Sequence, residues 1–173
     1  EPGISLRSVT SKQELSGFNL YLQPESGGTV GPEDIITQFS IANELFLKVD
    51  NYPGTNPTKI ALISGDMDVA ALSETNLNDN ALFLSVGEIV NGVQNGTMNA
   101  VSGVSRQLVV DHFRTVDANG AAPSTENGIT LNDGYDYRFL IWDGAESGDQ
   151  TVYYSSETYT YTADNAVPMT VTK

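Results

Sequence analysis

Apolar and polar residues alternate with a period of two over much of the chain. The alternation is clear in residues 18–22 and 45–49, and threonines alternate with tyrosines in residues 158–162. Residues 106–110 (Arg-Gln-Leu-Val-Val) and 135–142 (Tyr-Asp-Tyr-Arg-Phe-Leu-Ile-Trp) are two further segments with the composition of strands. Because successive side chains of a β-strand point to opposite faces, this pattern predicts half-buried sheets. The predicted core consists of Leu20, Leu22, Leu45, Leu47, Val49, Leu82, Leu84, Leu108, Val110, Tyr137, Phe139 and Ile141.

Turn-forming pairs separate these runs. Asn and Gly tolerate the positive φ angles of tight turns. Short strands between such turns predict an all-β fold, an antiparallel β-sandwich of the Ig-like or Greek-key type, with residues 1–173 as a single domain. The stretch 90–105 is rich in Asn and Gly and is predicted to be a long loop or a seam between two similar half-units. The Asn-Gly pairs begin at Asn91, Asn95, Asn119 and Asn127.

Two segments leave alternatives open. Residues 31–34 (Gly-Pro-Glu-Asp) predict a helix start, since proline suits the first helical position and acids suit the first turn. A strand through residues 36–41 is the alternative. The tripeptide Leu-Asn-Asp occurs at residues 77–79 and again at 131–133, which favours two similar half-units, although two hairpins with similar turns explain the match equally well.

The charge of the chain excludes several classes of partner. Eight basic residues stand against 22 acidic ones, which gives a formal net charge of −14 at pH 7. Such a polyanion repels phosphate groups, so we expect neither nucleic acid nor an anionic lipid surface as a partner. No apolar run approaches the roughly 18 residues of a membrane span. The absence of cysteine excludes a disulfide framework, a thiolate metal site and a thiol nucleophile.

Three segments resemble a known kind of protein. Residues 17–22 form a strand-like run, residues 47–55 lead into a Pro-Gly-Thr turn, and residues 130–144 contain Leu-Asn-Asp-Gly-Tyr-Asp-Tyr followed by an aromatic run and a glycine. In these features the chain resembles a family of secreted β-sandwich repeats of uncharacterised function in bacterial surface proteins. The resemblance covers residues 17–144, with Asn80 where the family pattern has glycine. It implies an extracellular or cell-surface location, and it transfers no catalytic residue.

Candidate catalytic chemistry is sparse. His112 is the sole histidine, and the adjacent Asp111 would face the opposite side of a strand, so it could not orient the ring. No Gly-x-Ser-x-Gly motif accompanies this histidine. We therefore predict no catalytic residues and no enzymatic activity, with a glycosidase that uses only carboxylates as the alternative.

Calcium is the candidate cofactor. Asp66 and Asp68 lie in a predicted turn, and Asp143, Glu146 and Asp149 lie in a glycine-rich loop. Carboxylate oxygens in flexible loops are the ligands that Ca²⁺ prefers. Neither segment fits the 12-residue loop of an EF-hand. The sequence therefore predicts calcium binding at one of these loops as a hypothesis.

Aromatic residues are concentrated late in the chain. Trp142, Tyr153, Tyr159 and Tyr161 could form a platform that stacks on sugar rings, which would make glycans a partner. The alternative interpretation is that these rings form cross-strand pairs within a sheet.

The chain termini suggest a mode of assembly. The N-terminal segment alternates loosely, with Ile4 and Leu6 in phase and Val9 out of phase, and residues 11–17 are predicted to be a flexible connector. Residues 1–12 could therefore act as an exchangeable strand that adds to the sheet edge of a neighbour. The alternative is that this segment pairs within its own sheet.

The sequence thus carries two hypotheses of function. The first is a non-enzymatic structural or interaction protein of the cell surface, with copies of itself or other surface proteins as partners, and with pilus-like filaments built by terminal-strand exchange. The second is a carbohydrate-binding module that uses the late Tyr and Trp residues.

Overall fold

A computed structural model describes residues 9–22, 31–40, 45–84, 88–92, 107–113 and 131–163; within 88–92 and 107–113 it describes the backbone alone. These residues form twelve strands, one α-helix and two short 3-10 helices. The strands are β1 Val9–Leu15, β2 Phe18–Leu22, β3 Ile35–Ile36, β4 Gln38–Phe39, β5 Leu45–Asp50, β6 Pro57–Ser64, β7 Ala81–Phe83, β8 Glu88–Gly92, β9 Gln107–Phe113, β10 Asp136–Asp143, β11 Gln150–Ser155 and β12 Tyr159–Tyr161. The α-helix, α1, spans Glu74–Asn80, and the 3-10 helices span Pro32–Asp34 and Val69–Ala71.

Seven strands form a mixed sheet around β10. One edge of β10 pairs with β6, which in turn pairs with β7. The other edge of β10 is shared, because β12 pairs with its beginning and β11 with its end. Two parallel strands extend this side, β1 on β11 and β4 on β12.

Five strands form an antiparallel sheet in the order β3-β2-β5-β9-β8. In its register Leu20 lies opposite Leu47, and Leu47 also lies opposite Val110 of β9. The all-β prediction is therefore confirmed, and the predicted strands at residues 18–22, 45–49, 106–110, 135–142 and 158–162 correspond to β2, β5, β9, β10 and β12.

Both sheets contribute side chains to one main core. Leu20, Leu47 and Val49 of the antiparallel sheet and Phe139 and Ile141 of the mixed sheet are each completely buried. Burial of large apolar side chains is the dominant stabilising contribution to such a fold. Of the predicted core, Leu22 is only half-buried, the side chains of Leu108 and Val110 lie outside the described residues, and the other nine are buried.

A second cluster covers the opposite face of the mixed sheet. Leu140, Trp142 and Val152 point away from the main core and pack with Val69 of a 3-10 helix and Leu77 of α1. Ser73 caps α1 by accepting a hydrogen bond from Asn76 N–H at 3.1 Å. The central strands of the mixed sheet are consequently buried on both faces.

Two sequence expectations were wrong, and one choice between alternatives was resolved. Residues 11–15 belong to β1 and are not a flexible connector, because their backbone pairs with β11. At residues 31–41, where the sequence left a helix start and a strand open, the structure has the 3-10 helix Pro32–Asp34 followed by the short strands β3 and β4. The two Leu-Asn-Asp tripeptides differ in structure, since the first lies in α1 and the second in a turn, so they do not mark equivalent positions of two half-units.

Candidate functional site

The four rings of the predicted sugar platform lie in the interior. Trp142 is 1% exposed, Tyr159 3%, Tyr161 7% and Tyr153 9%. Stacking on a sugar requires an accessible ring face, so the prediction that these rings form a surface platform is wrong. Their contacts are those of packing: Phe139 meets Tyr159 edge-to-face, with ring centroids 5.2 Å apart.

The carboxylate of Asp143 is occupied by hydrogen bonds within the chain. Tyr52 Oη donates to Asp143 Oδ2 at 2.6 Å, and the Asn56 N–H donates to the same carboxylate. Tyr52 is completely buried and packs edge-to-face on Tyr153. Asp143 therefore ties the loop after β5 to the end of β10, which is a structural role.

The remaining predicted calcium ligands do not come together. Asp66 and Asp68 are exposed in the turn after β6, and Asp149 is exposed before β11. Glu146 pairs with Lys59 at 3.7 Å, with the glutamate side chain 68% exposed. Within the part of the chain that the structure describes, no three acidic or histidine side chains are grouped to hold a metal ion. Calcium binding stays a prediction.

Of the predicted assembly residues, Ile4 and Leu6 lie outside the described residues. Val9 begins β1 and packs against the second cluster. His112 lies in β9, where the structure describes only the backbone.

β1 is an edge strand of the mixed sheet. Among the described strands it pairs only with β11, in parallel, and its register is irregular between Val9 and Ser11. Four of its seven side chains are exposed, and none is fully buried. Its apolar contacts to the rest of the fold are made by Val9, against the second cluster, and Leu15, against the main core. β1 is thus attached mainly through its backbone.

Further hydrogen bonds add to the backbone pairing of β1 with β11. The hydroxyl groups of Ser11 and Thr151 lie 2.8 Å apart, and Lys12 Nζ donates a hydrogen bond to the Leu72 carbonyl. At the end of the strand the Ser156 N–H donates to the Leu15 carbonyl at 2.9 Å.

The connection from β1 to β2 carries the chain between the sheets. It consists of Ser16 and Gly17, since β1 ends at Leu15 in the mixed sheet and β2 begins at Phe18 in the antiparallel sheet. A Cβ atom on Gly17 would lie 2.7 Å from the Asp50 carbonyl oxygen, so only glycine fits at this crossing. Short connections of this kind favour exchange of a terminal strand between copies.

A second notable feature is the outer face of the antiparallel sheet, formed by Asn19, Tyr21, Phe46, Lys48 and Asp50. Their alternation with core residues suggests exposure, yet Tyr21, Phe46 and Lys48 are each at most 1% exposed. Tyr21 stacks on Phe46 with ring centroids 4.9 Å apart, and Lys48 Nζ lies 5.9 Å from the centroid of the Phe46 ring. Asn19 Nδ2 donates to Asp50 Oδ2 at 3.2 Å.

This face contains two buried polar groups without partners. Within the described part of the chain, neither Tyr21 Oη nor Lys48 Nζ has a hydrogen-bond partner. Burial raises the pKa of Tyr21 to about 12, and the negative charge of Asp50 adds to the shift. Burial lowers the pKa of Lys48 to about 8, although Asp50 opposes this change. Lys48, which interrupts the apolar residues 45–49, was the only sequence signal for this cluster.

The raised pKa of Tyr21 predicts a loss of stability in alkaline solution. Between pH 10 and 12 the unfolded state loses the phenol proton while the folded state retains it, so the free energy of unfolding falls as pH rises. In Tyr21→Phe this fall should be shallower, and removal of the unpartnered hydroxyl should add about 1 kcal/mol of stability below pH 10. Urea denaturation across this pH range measures both effects. Tyr135→Phe, at a ring 59% exposed, is the control; equal slopes for Tyr21→Phe and wild type would contradict the prediction.

No protein-family model, curated protein or solved structure matches the chain. The resemblance to bacterial surface repeats therefore stays a prediction. Among the described residues no helix combines the length and the apolar character needed to cross a membrane.

Proposed function

We propose that this chain is a non-enzymatic structural and interaction protein of the cell surface, a β-sandwich subunit that assembles with copies of itself by exchanging its N-terminal strand. The observation that carries the proposal is the attachment of β1, an edge strand with one paired neighbour among the described strands and no fully buried side chain. A sandwich arrangement is supported by the main core, to which both sheets contribute.

In the exchanged assembly β1 makes the same contacts with β11, but the two strands belong to different copies of the chain. A copy whose β1 has left β11 presents an unpaired sheet edge, which accepts an extended strand through backbone hydrogen bonds. The β1 of a second copy carries the same Val9 and Leu15 side chains and fills the same two positions. Exchange requires a change of backbone conformation at the short connection of Ser16 and Gly17.

The geometry of exchange determines the assembly that results. Each subunit donates one strand and accepts one. Exchange along successive copies is heterologous and propagates as a filament, whereas reciprocal exchange between two copies closes a dimer. The net charge of −14 limits unspecific association of the subunits, since like-charged surfaces repel. The resemblance to secreted surface repeats supports the cell-surface location. Binding of glycans through the four buried rings is not part of the proposal.

A disulfide can report which chain supplies β1. The wild-type chain has no cysteine, and the Ser11 and Thr151 hydroxyl groups are 2.8 Å apart on adjacent strands. In the double variant Ser11→Cys, Thr151→Cys, oxidation should join different chains if β1 is exchanged, and non-reducing electrophoresis should show a ladder of covalent oligomers. A closed monomer should instead yield only an internally bridged single chain, which would refute the proposal.

The single variants provide matched controls. Ser11→Cys and Thr151→Cys each carry one thiol and can form at most covalent dimers, so neither should give a ladder, and the dimer band of each measures unspecific oxidation. Light scattering of the wild-type protein gives an independent measurement, since a monomer at high concentration contradicts the proposal.

A further inference from the structure

The outer face of the antiparallel sheet places an amine, a carboxamide and a carboxylate side by side. β2 and β5 are antiparallel, and Asn19 lies directly opposite Lys48 in their register. Asp50 lies two residues after Lys48 on the same face, and its Oδ2 accepts the hydrogen bond from Asn19 Nδ2 at 3.2 Å. Lys48 is completely buried, and within the described residues its Nζ has no hydrogen-bond partner.

The Lys48 amine can reach the Asn19 side chain without movement of the backbone. Directly opposite residues of antiparallel strands have Cβ atoms about 4.5–5.5 Å apart. The carboxamide carbon of asparagine is bonded to its Cβ, while lysine extends from its Cβ through Cγ, Cδ and Cε to Nζ. Rotation about the Lys48 side-chain bonds therefore brings Nζ from its position near the Phe46 ring to the Asn19 carboxamide.

We propose that Lys48 Nζ and the Asn19 carboxamide react to form an isopeptide bond that cross-links β5 to β2. A buried, unpartnered amine is costly to the fold, and conversion into a secondary amide removes this cost. The cross-link does not depend on strand exchange, because β2 and β5 remain in the subunit when β1 is exchanged.

The reaction balances without a cofactor. The neutral amine of Lys48 attacks the carboxamide carbon of Asn19 and forms the new C–N bond. Asp50 carries a proton from Nζ to Nδ2, with which it is already in contact. The bond between the carboxamide carbon and Nδ2 then breaks, and ammonia leaves. One amine and one primary amide thus give one secondary amide and one ammonia molecule.

The surroundings favour the nucleophilic form of the amine. Burial lowers the pKa of Lys48 to about 8, so a larger fraction is neutral at physiological pH than for an exposed lysine. The rings of Phe46 and Tyr21 are buried beside it and limit the access of water. Asn19 and Asp50 are half-buried, which leaves a route for ammonia to depart.

Mass spectrometry of the intact chain tests the inference. The purified protein should be lighter than its sequence mass by one ammonia molecule. After digestion with trypsin and a glutamate-specific protease, which cleaves between the two positions at Glu25, Glu33 and Glu44, the fragments that contain Asn19 and Lys48 should remain joined. A mass equal to the sequence mass, or separate fragments, would overturn the inference.

Variants distinguish cross-link formation from other reactions that release ammonia. Asn-Gly sequences lose ammonia when they form succinimides, and four such sequences occur in the chain. Lys48→Met removes the amine but retains an unbranched apolar side chain that suits a buried position, so it should fold and show the full sequence mass. Retention of the mass loss in this variant would refute the cross-link. Lys59→Arg, at a lysine outside this face, should retain both the mass loss and the joined fragments.

The contribution of Asp50 is tested by kinetics. When chains are produced in unfolded form, before any cross-link has formed, and are then refolded, the mass loss should develop at least tenfold more slowly in Asp50→Asn than in the wild-type sequence, because the proton carrier is absent. Circular dichroism confirms that both proteins have refolded before the comparison. Equal rates would show that Asp50 does not take part in the reaction.

Discussion

Replacement of Trp142 with alanine should lower the free energy of unfolding by about 3–5 kcal/mol, the usual cost of removing a large buried aromatic side chain. Trp142 is 1% exposed and packs in the second cluster, where its ring centroid lies 5.1 Å from that of Phe83. Lys59 Nζ lies 5.4 Å from the Trp142 ring, so its cation–π contact is also lost. Thermal or urea denaturation measures the change.

The same variant distinguishes a core residue from a ligand-binding residue. If Trp142 served mainly to stack on sugars, its removal would abolish binding to a glycan array and leave stability nearly unchanged. Tyr135→Ala is the matched control, because Tyr135 is 59% exposed and its loss should change the free energy of unfolding by less than about 0.5 kcal/mol. A Trp142→Ala variant as stable as Tyr135→Ala would contradict the assignment of Trp142 to the core.

The sequence predicts strands well where one face of a sheet meets the core. In β2, Phe18 and Leu20 lie in the main core, and in β12 Tyr159 and Tyr161 do so, as their alternation with polar residues indicates. β11 was missed because Val152 packs in the second cluster while Tyr153 packs in the main core. A strand that is buried on both faces does not alternate between apolar and polar residues, so periodicity alone does not identify it.

Local sequence could not reveal β1 or the buried outer face of the antiparallel sheet. The polar residues of β1 resemble a connector, and its strand conformation depends on backbone pairing with β11, a partner distant in sequence. Tyr21, Phe46 and Lys48 alternate with core residues as solvent-facing side chains do, yet they are buried. Burial of the second face of a sheet is a property of the tertiary structure, and for Lys48 it creates the unpartnered amine from which the cross-link is inferred.

Alanine at Gly144 should destabilise the protein by about 2–4 kcal/mol, because two separate costs act at this position. The φ angle of Gly144 is 118°, a conformation that side chains other than glycine rarely adopt. In addition, a Cβ atom there would lie 2.6 Å from the Asp149 carbonyl oxygen, so the backbone must move.

That movement would disrupt the turn between β10 and β11. The Gly144 N–H donates to the Asn56 carbonyl at 2.8 Å, and the Gly144 carbonyl accepts from Gln150 Nε2 at 2.8 Å. Gly148 lies in the same turn and provides the matched control, since its Cβ would approach no atom closer than 3.9 Å and its φ is not in the positive range. Gly148→Ala should therefore change the free energy of unfolding by less than about 1 kcal/mol. Urea denaturation of the two variants under the same conditions measures the difference, and equal stabilities would show that the strained conformation of Gly144 is not required by the fold.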